Sequence, residues 1–129
     1  MPALSAADCR LIESARDIIR RRYKPRWHGV GAALRTRSGR EFAGVHLEAD
    51  VGRIAVCAEA ITIGIAASEG DTEIEMIVAV AAGGQVVSPC GMCRELIADY
   101  APDAGVIVPG PDGEEIALIA DLLPNKTRF

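Results

Sequence analysis

Cys57-Ala58-Glu59 and, further along the chain, Pro89-Cys90-Gly91-Met92-Cys93 are the two stretches around which the remaining sequence is organised. Together they supply three thiol ligands and one spare carboxylate. A structural zinc site usually has four protein ligands, whereas a catalytic zinc keeps three and leaves the fourth position to water. Cys57, Cys90 and Cys93 therefore predict a catalytic Zn²⁺ site.

Glu59 lies two positions after the first of these cysteines, too close to bind the same metal easily. It is well placed to move protons to and from a water at the metal. A carboxylate in the first turn of a helix is also stabilised by the helix dipole, and Glu59 can have both roles. A Cys-x-x-Cys pair alone also occurs in redox motifs and zinc knuckles. The upstream Cys-Ala-Glu favours the catalytic metal site.

These motifs make the sequence resemble the small cytidine deaminases, whose zinc ligands are combined with a Glu that acts as general acid and base. The resemblance covers nearly the whole chain. It implies a three-layer α/β fold with a mixed five-stranded sheet flanked by helices, a single domain over residues 1–129, and a homotetramer. The matching segments follow the family's order: Val30-Gly31-Ala32-Ala33-Leu34, Cys57-Ala58-Glu59, Ser88-Pro89-Cys90-Gly91-Met92-Cys93-Arg94 and Leu122-Leu123-Pro124.

Hydrophobic periodicity and turn residues predict the same alternation of helices and strands. A helix over 6–21 follows Ser5, a plausible N-cap, and contains Cys9, which we expect to be a small packing residue. Helices are also predicted from Cys57 to about Ser68, apolar on most faces and hence buried, and over about 91–100. Both ligand-bearing helices begin where the dipole and free N–H groups favour thiolate over thiol. Short apolar runs predict five strands, over 30–36, 41–47, 74–82, 105–109 and 114–119.

The composition restricts the class of protein. Aromatic residues make up only 4% of the chain and the net charge is −4, which disfavours a nucleic-acid binder. No stretch suggests a membrane span or an export signal, and four cysteines without such a signal predict a reducing, cytoplasmic location. The basic segment 20–26 could bind phosphate, but a solvated helix end is the favoured interpretation.

The resemblance also implies residues that contact substrate. His46-Leu47-Glu48 stands where the family has Asn-x-Glu to hold ribose hydroxyls, so Glu48 is kept and His46 replaces Asn. His28, or its neighbour Trp27, takes the place of the Phe that lies against the pyrimidine. The backbone around Ala58 and Ser88 is predicted to recognise the ring and its amine. Phe129 is also a predicted contact, because in the tetrameric family members an aromatic residue near the chain end closes a neighbouring subunit's site.

Arg94 is the predicted support for the ligand thiolates. Many family members have an Arg directly after Cys-Ala-Glu that donates hydrogen bonds to thiolates, but this chain has Ala60 there. Arg94 matches the family's usual Arg after the last cysteine, so it is expected to carry more of this compensation.

The leading hypothesis is zinc-dependent hydrolytic deamination of cytidine or deoxycytidine, as in pyrimidine salvage. The sequence also resembles the blasticidin S deaminases, which act on a cytosine with a cationic peptidyl sugar, and Glu48 and Asp50 would suit such a positive group. Deamination of another amino-heterocycle is a further alternative. Two further alternatives are a catalytically silent, zinc-stabilised module and a thiol redox protein, which would leave Cys57 and Glu59 unexplained.

Overall fold

The computed structural model describes residues 3–129. Its six strands form a mixed, open sheet in which only β3 and β5 pair in parallel. The elements are α1 (Ala6–Arg22), β1 (Val30–Thr36), β2 (Glu41–Val45), α2 (Ala58–Ser68), β3 (Ile74–Ala81), β4 (Val86–Val87), α3 (Gly91–Tyr100), β5 (Gly105–Gly110), β6 (Gly113–Leu118) and α4 (Ile119–Leu122).

The sheet has the strand order β2-β1-β3-β5-β6, and these are the five strands that the sequence predicts. The sixth strand, β4, pairs with β3 through Val86 and Val87. It was not predicted, because two residues are too few to show an alternating pattern. The predicted α/β fold with helices on a mixed sheet is confirmed.

Helices cover both faces of the sheet, which gives three layers. Leu11, Ile19 and Ala33 belong to the core between α1 and one face. The next residue of β1, Leu34, points to the opposite core with Ile63 of α2, as expected from the alternation of side chains along a strand. This arrangement places the N-termini of α2 and α3 on one side of the sheet.

Two glycines let the helices approach the sheet closely. A Cβ atom on Gly31 would lie 2.7 Å from the carbonyl oxygen of Ala15 in α1. A Cβ atom on Gly44 would lie 3.0 Å from side-chain atoms of Ile61 and Thr62 in α2. Larger residues here would push the helices outward, and at Gly44 this would move the helix that begins at the predicted metal site.

Two local predictions are wrong. The side of α2 that carries Gly64 and Ile65 is open in the single chain, and Ile65 is 38% exposed. Cys9 lies on the exposed side of α1 and is not a packing residue. Within residues 3–129, no helix combines the length and the apolar character needed to cross a membrane.

Candidate active site and metal centre

The three predicted ligands lie at the starts of two helices. Cys57 is the N-cap of α2, Cys90 is the N-cap of α3, and Cys93 lies in the first turn of α3. Neither N-cap side chain makes the usual capping hydrogen bond, so both sulfurs are free for another role. Because helix N-termini attract negative charge, this placement favours thiolates.

The three sulfur atoms fit a zinc ion. They all lie within 4.8 Å of one another, and Cys57 Sγ is 3.5 Å from Cys90 Sγ. On a tetrahedral zinc with Zn–S bonds of about 2.3 Å, two sulfurs are about 3.8 Å apart. Within residues 3–129 this cluster contains no fourth ligand. The donor set therefore matches a catalytic zinc site, in which three protein ligands leave one position open.

The three neighbouring thiols need a nearby cation if all of them are to be ionised. Burial raises the pKa of the Cys93 thiol, and the nearby Glu59 carboxylate raises it further. Burial and the Cys90 side chain likewise raise the pKa of Cys57. Burial opposes ionisation of Cys90 as well, but the N–H groups of Cys93 and Met92 and its thiol neighbours lower its pKa. Three adjacent thiolates are stable together only beside a strong positive charge.

Glu59 lies in the first turn of α2 and is only 6% exposed. Burial raises the pKa of its carboxyl group, although its own backbone N–H and Cys93 oppose the shift. A carboxyl group with a raised pKa can both accept and release a proton near neutral pH, as a general acid and base must do.

A cavity of about 580 Å³ opens beside these residues. Glu59, Cys57 and Cys90 line it, whereas Cys93 is buried behind them. Four predicted substrate contacts also line the cavity: His46, Glu48, Ala58 and Ser88.

The comparisons with known proteins agree with this geometry. Residues 5–108 match the family profile described as the cytidine and deoxycytidylate deaminase zinc-binding region. The chain belongs to this deaminase family. Blasticidin-S deaminase of Bacillus cereus is 44% identical over 131 aligned positions, which cover 95% of this chain and 94% of that protein. Cytidine deaminase of Halalkalibacterium halodurans is 33% identical over 98 positions, 74% of each chain.

Solved structures carry the same fold. Cytidine deaminase from Mycobacterium leprae has a TM-score of 0.79 at 28% identity, covering 91% of this chain and 97% of that one. Cytidine deaminase from Burkholderia pseudomallei has a TM-score of 0.78 at 29% identity, with 92% and 98% covered. This deaminase is therefore a zinc-dependent hydrolase, and the donor set of Cys57, Cys90 and Cys93 fits the metal of its family.

Two of the predicted substrate contacts, His28 and Phe129, do not line the cavity of this deaminase. His28 Nδ1 instead contacts the carbonyl oxygen of His46 at 2.9 Å. Phe129 is fully exposed and lines a separate cavity with Lys126 and Asp99. Within one chain, His28 thus supports a residue of the cavity, and Phe129 lies away from it.

Arg94 binds backbone carbonyl groups. Its Nε donates to the Pro89 carbonyl oxygen at 2.9 Å and its Nη1 to that of Leu122 at 3.0 Å. Within residues 3–129 no hydrogen bond joins Arg94 to a ligand sulfur. The guanidinium group ties the residue before Cys90 to the end of α4, so in this structure its support for the thiolates is indirect.

Charges near the cavity are arranged differently from the sequence-based expectation. Asp50 forms an ion pair with Arg26 and does not line the cavity, so of the two acidic residues expected to suit a cationic substrate only Glu48 lines it. Arg26 belongs to the basic segment, where Arg20 and Arg21 also form ion pairs, with Glu13 and Asp17 respectively. This agrees with a solvated helix end.

Some residues that line the cavity were not predicted from the sequence. Arg53, in the short 3₁₀ turn Gly52–Ile54, adds a cation, and Met92 and Val87 add apolar surface. Arg53 lies between the strand predicted over 41–47 and Cys57, and only its position close to the motif could have pointed to it. Met92 lies inside the Cys-x-x-Cys motif, so its place at the site follows directly from the predicted ligands.

Proposed function

We propose that this deaminase removes the amino group from the cytosine ring of a nucleoside-type substrate, giving the uracil derivative and ammonia. The observation that supports this most directly is the buried Glu59 beside three convergent cysteine sulfurs at one cavity. The cavity, of about 580 Å³, falls within the usual range for small-molecule sites. Cytidine and deoxycytidine are the leading candidate substrates, and we propose a role in cytoplasmic pyrimidine salvage.

Cys57, Cys90 and Cys93 would hold the zinc ion, which would supply a Lewis acid that lowers the pKa of water towards about 7. The Glu59 carboxylate takes a proton from the attacking water and delivers it to the ring nitrogen beside the amino-bearing carbon. Glu59 then passes a second proton to the departing amine. One water is consumed and one ammonia leaves, so no oxidant or further cofactor is needed.

Residues around the cavity provide the remaining contacts. Ala58 and Ser88 line it close to the ligand cysteines, where their backbone groups are suited to the ring and its amine. Glu48 and His46 line the same cavity and are suited to the sugar.

Blasticidin S is the second candidate substrate, and the Bacillus cereus relative favours it because its similarity extends over 95% of this chain. The Glu48 carboxylate at the cavity would suit the cationic part of that molecule. Both candidates share the cytosine ring, so the chemistry at Glu59 is the same.

We further propose a homotetramer. A second, largely apolar groove of about 600 Å³ runs along the open side of α2 and includes Phe42, Ile61 and Ile65. A second copy of the chain would cover this surface. In such an assembly, Phe129 could reach the cavity of a neighbouring subunit.

The deciding experiment measures ammonia release from cytidine, deoxycytidine, blasticidin S, cytosine and unrelated amino-heterocycles by the zinc-loaded protein. Turnover of cytidine or deoxycytidine supports the leading proposal, and turnover of blasticidin S alone supports the second candidate. Zinc bound without turnover of any cytosine compound would contradict both.

A further inference from the structure

Within residues 3–129, Arg53 is the only arginine or lysine that lines the active-site cavity. The acidic residues of the lining are Glu48 and Glu59, and at the metal centre three thiolates outweigh the charge of one Zn²⁺. Such a surface repels an anionic ligand unless a cation offsets the negative charge. Arg53 is the residue of the lining that supplies this cation.

The guanidinium group of Arg53 has no hydrogen bond and no ion pair in the part of the chain that the structure describes. Arg10 and Arg22 of α1 are the other arginines of residues 3–129 without such a partner, and neither lines the cavity. Glu48 lines the cavity too, but its Oε1 accepts the N–H of Ala49 and it forms no ion pair with Arg53. No group of the described chain therefore competes with a ligand for this guanidinium.

The backbone holds Arg53 at the cavity, although its side chain is free. Leu47 and Val56 exchange two backbone hydrogen bonds of 2.9 Å, which close the loop between them at its base. Within this loop, Asp50 forms an ion pair with Arg26 and so ties the loop to the segment before β1. The loop thus keeps the Arg53 backbone in place, while the long side chain remains able to turn towards a ligand.

The change in exposure along the lining decides which end of a substrate meets Arg53. Arg53 and Gly52 are exposed, Cys57 is half-buried, and Glu59 is only 6% exposed. A Cβ atom on Gly52 would have no atom within 4 Å, so the space around this turn is open. The amino-bearing carbon of the ring has to reach Glu59 at the inner end of the cavity. The group beside Arg53 therefore belongs to the outer end of the substrate.

We propose that Arg53 is a specificity-determining residue that binds an anionic group, a carboxylate or a phosphate, at the outer end of the substrate. Both groups present two oxygens to the planar guanidinium fork, which donates two parallel N–H···O bonds to them. This inference rests on the proposed function for the identity of the ring. It narrows the substrate class to cytosine nucleosides that carry a negatively charged substituent.

Product binding tests the inference without turnover. Titration calorimetry of the zinc-loaded protein with uridine, uridine 5′-phosphate and uridine 5′-carboxylate compares one neutral and two anionic products. We expect one or both anionic products to bind about tenfold or more tightly than uridine, the effect of one charge-assisted contact. The preference between the two identifies the anionic group. Equal affinity for all three products, or no binding of any, would overturn the inference.

Variants assign the preference to a residue. Arg53→Gln should remove the preference for the anionic product, and Arg53→Lys should retain part of it, because lysine keeps the charge but not the fork. Arg22→Gln is the matched control, since Arg22 is also exposed and without a partner in the described chain but lies away from the cavity. Equal losses in Arg53→Gln and Arg22→Gln would show an effect of net charge only and contradict the site.

Turnover separates this inference from the proposed function. For the cytidine derivative with the preferred anion, Arg53→Gln should raise KM about tenfold more than for cytidine, with little change in kcat. Arg53-dependent binding of an anionic product without deamination of any cytosine compound would reject the proposed function and keep the inference. Deamination of cytidine without any anionic preference would do the reverse. A changed mass of Arg53→Gln in sedimentation velocity would assign Arg53 to a subunit interface and overturn the inference.

Discussion

Cys57 Sγ lies 3.5 Å from Cys90 Sγ, although 33 positions separate the two residues along the chain. Each residue is the N-cap of a different helix, and α2 and α3 both pack on the same face of the sheet. The fold thus brings two helix N-termini together and closes the ligand set with Cys93 in the first turn of α3. We therefore expect folding and metal binding to be coupled in this protein.

The first prediction concerns a ligand. Cys90→Ser should weaken zinc binding by more than about 100-fold, because a hydroxyl is a poor substitute for a thiolate ligand. Removing a residue that only hydrogen-bonds to a metal ligand already lowers metal affinity, and removing the ligand itself should lower it at least as much. Metal content by elemental analysis and affinity by competition with a chelator measure this. Cys9→Ser is the matched control, because Cys9 is exposed on α1 away from the cluster. Equal zinc loss in both variants would contradict the assignment.

Glu59 carries the second prediction. Glu59→Gln keeps the shape of the side chain but cannot accept a proton, so kcat should fall by about 10²- to 10⁴-fold or more. Zinc content should stay at the wild-type level, because Glu59 is not part of the sulfur cluster. Steady-state ammonia release, together with metal analysis, checks both expectations. A variant with substantial kcat would exclude Glu59 as the proton carrier.

The motif residues could be predicted from sequence because their spacing reflects chemistry directly. Three cysteines and one glutamate at the starts of two helices have few other uses, and the structure brings the three sulfurs within 4.8 Å of one another. The five main strands could also be predicted, because each contains a short apolar run flanked by turn residues. β4 was not, since its pairing with β3 depends on the turn before it and not on a pattern of its own.

The surroundings of the cavity could not be predicted in the same way. Asp50 turns away to pair with Arg26, and Arg94 reaches the carbonyl groups of Pro89 and Leu122. Arg26 lies 24 positions from Asp50 and Leu122 lies 28 positions from Arg94, so local sequence patterns carry no information about these two contacts. The orientation of His46 likewise depends on one hydrogen bond from Gly29.

Arg94 gives the third prediction. Arg94→Ala removes two hydrogen bonds that a charged side chain donates to backbone carbonyl groups. We expect the free energy of unfolding to fall by at most about 1.5–3 kcal/mol for each bond. Because Pro89 precedes Cys90, zinc affinity should fall as well. Denaturant unfolding and chelator competition measure the two effects. Wild-type values for both would show that Arg94 supports neither the loop nor the thiolates.

The open side of α2 gives the fourth prediction. Ile65→Arg places a charge in the apolar groove, so it should dissociate the proposed tetramer while leaving the fold of the chain intact, since Ile65 is 38% exposed. Sedimentation velocity measures the mass, and circular dichroism checks the fold. Tyr100→Arg, at an exposed apolar residue outside this groove, is the control. A wild-type protein that is already monomeric would contradict the proposed tetramer.

Asp8 gives the last prediction, on the pH dependence of stability. Burial opposes its ionisation, but the Ser5 N–H, Arg35 and the Ser5 hydroxyl outweigh this and hold the pKa of the Asp8 carboxyl below its ordinary value of 3.8. Its carboxylate accepts from Ser5 N at 2.9 Å and from Arg35 Nη2 at 2.9 Å. The ionised form is therefore favoured in the folded state, and it stabilises the fold at every pH above the unfolded pKa.

Asp8→Asn should accordingly lower the free energy of unfolding by about 1.5–3 kcal/mol at pH 7. The difference from wild type should shrink as the pH falls below about 4, because Asp8 of the unfolded wild-type chain takes up its proton first and the folded carboxylate follows at lower pH. Denaturant titrations from pH 7 to pH 3 measure it. Asp17→Asn is the control on the same helix, because its pair with Arg21 is more than half exposed and should contribute less than about 1 kcal/mol. A deficit for Asp8→Asn that stays constant down to pH 3 would show that the charge of Asp8 does not stabilise the start of α1, and that only the shape of the side chain matters there.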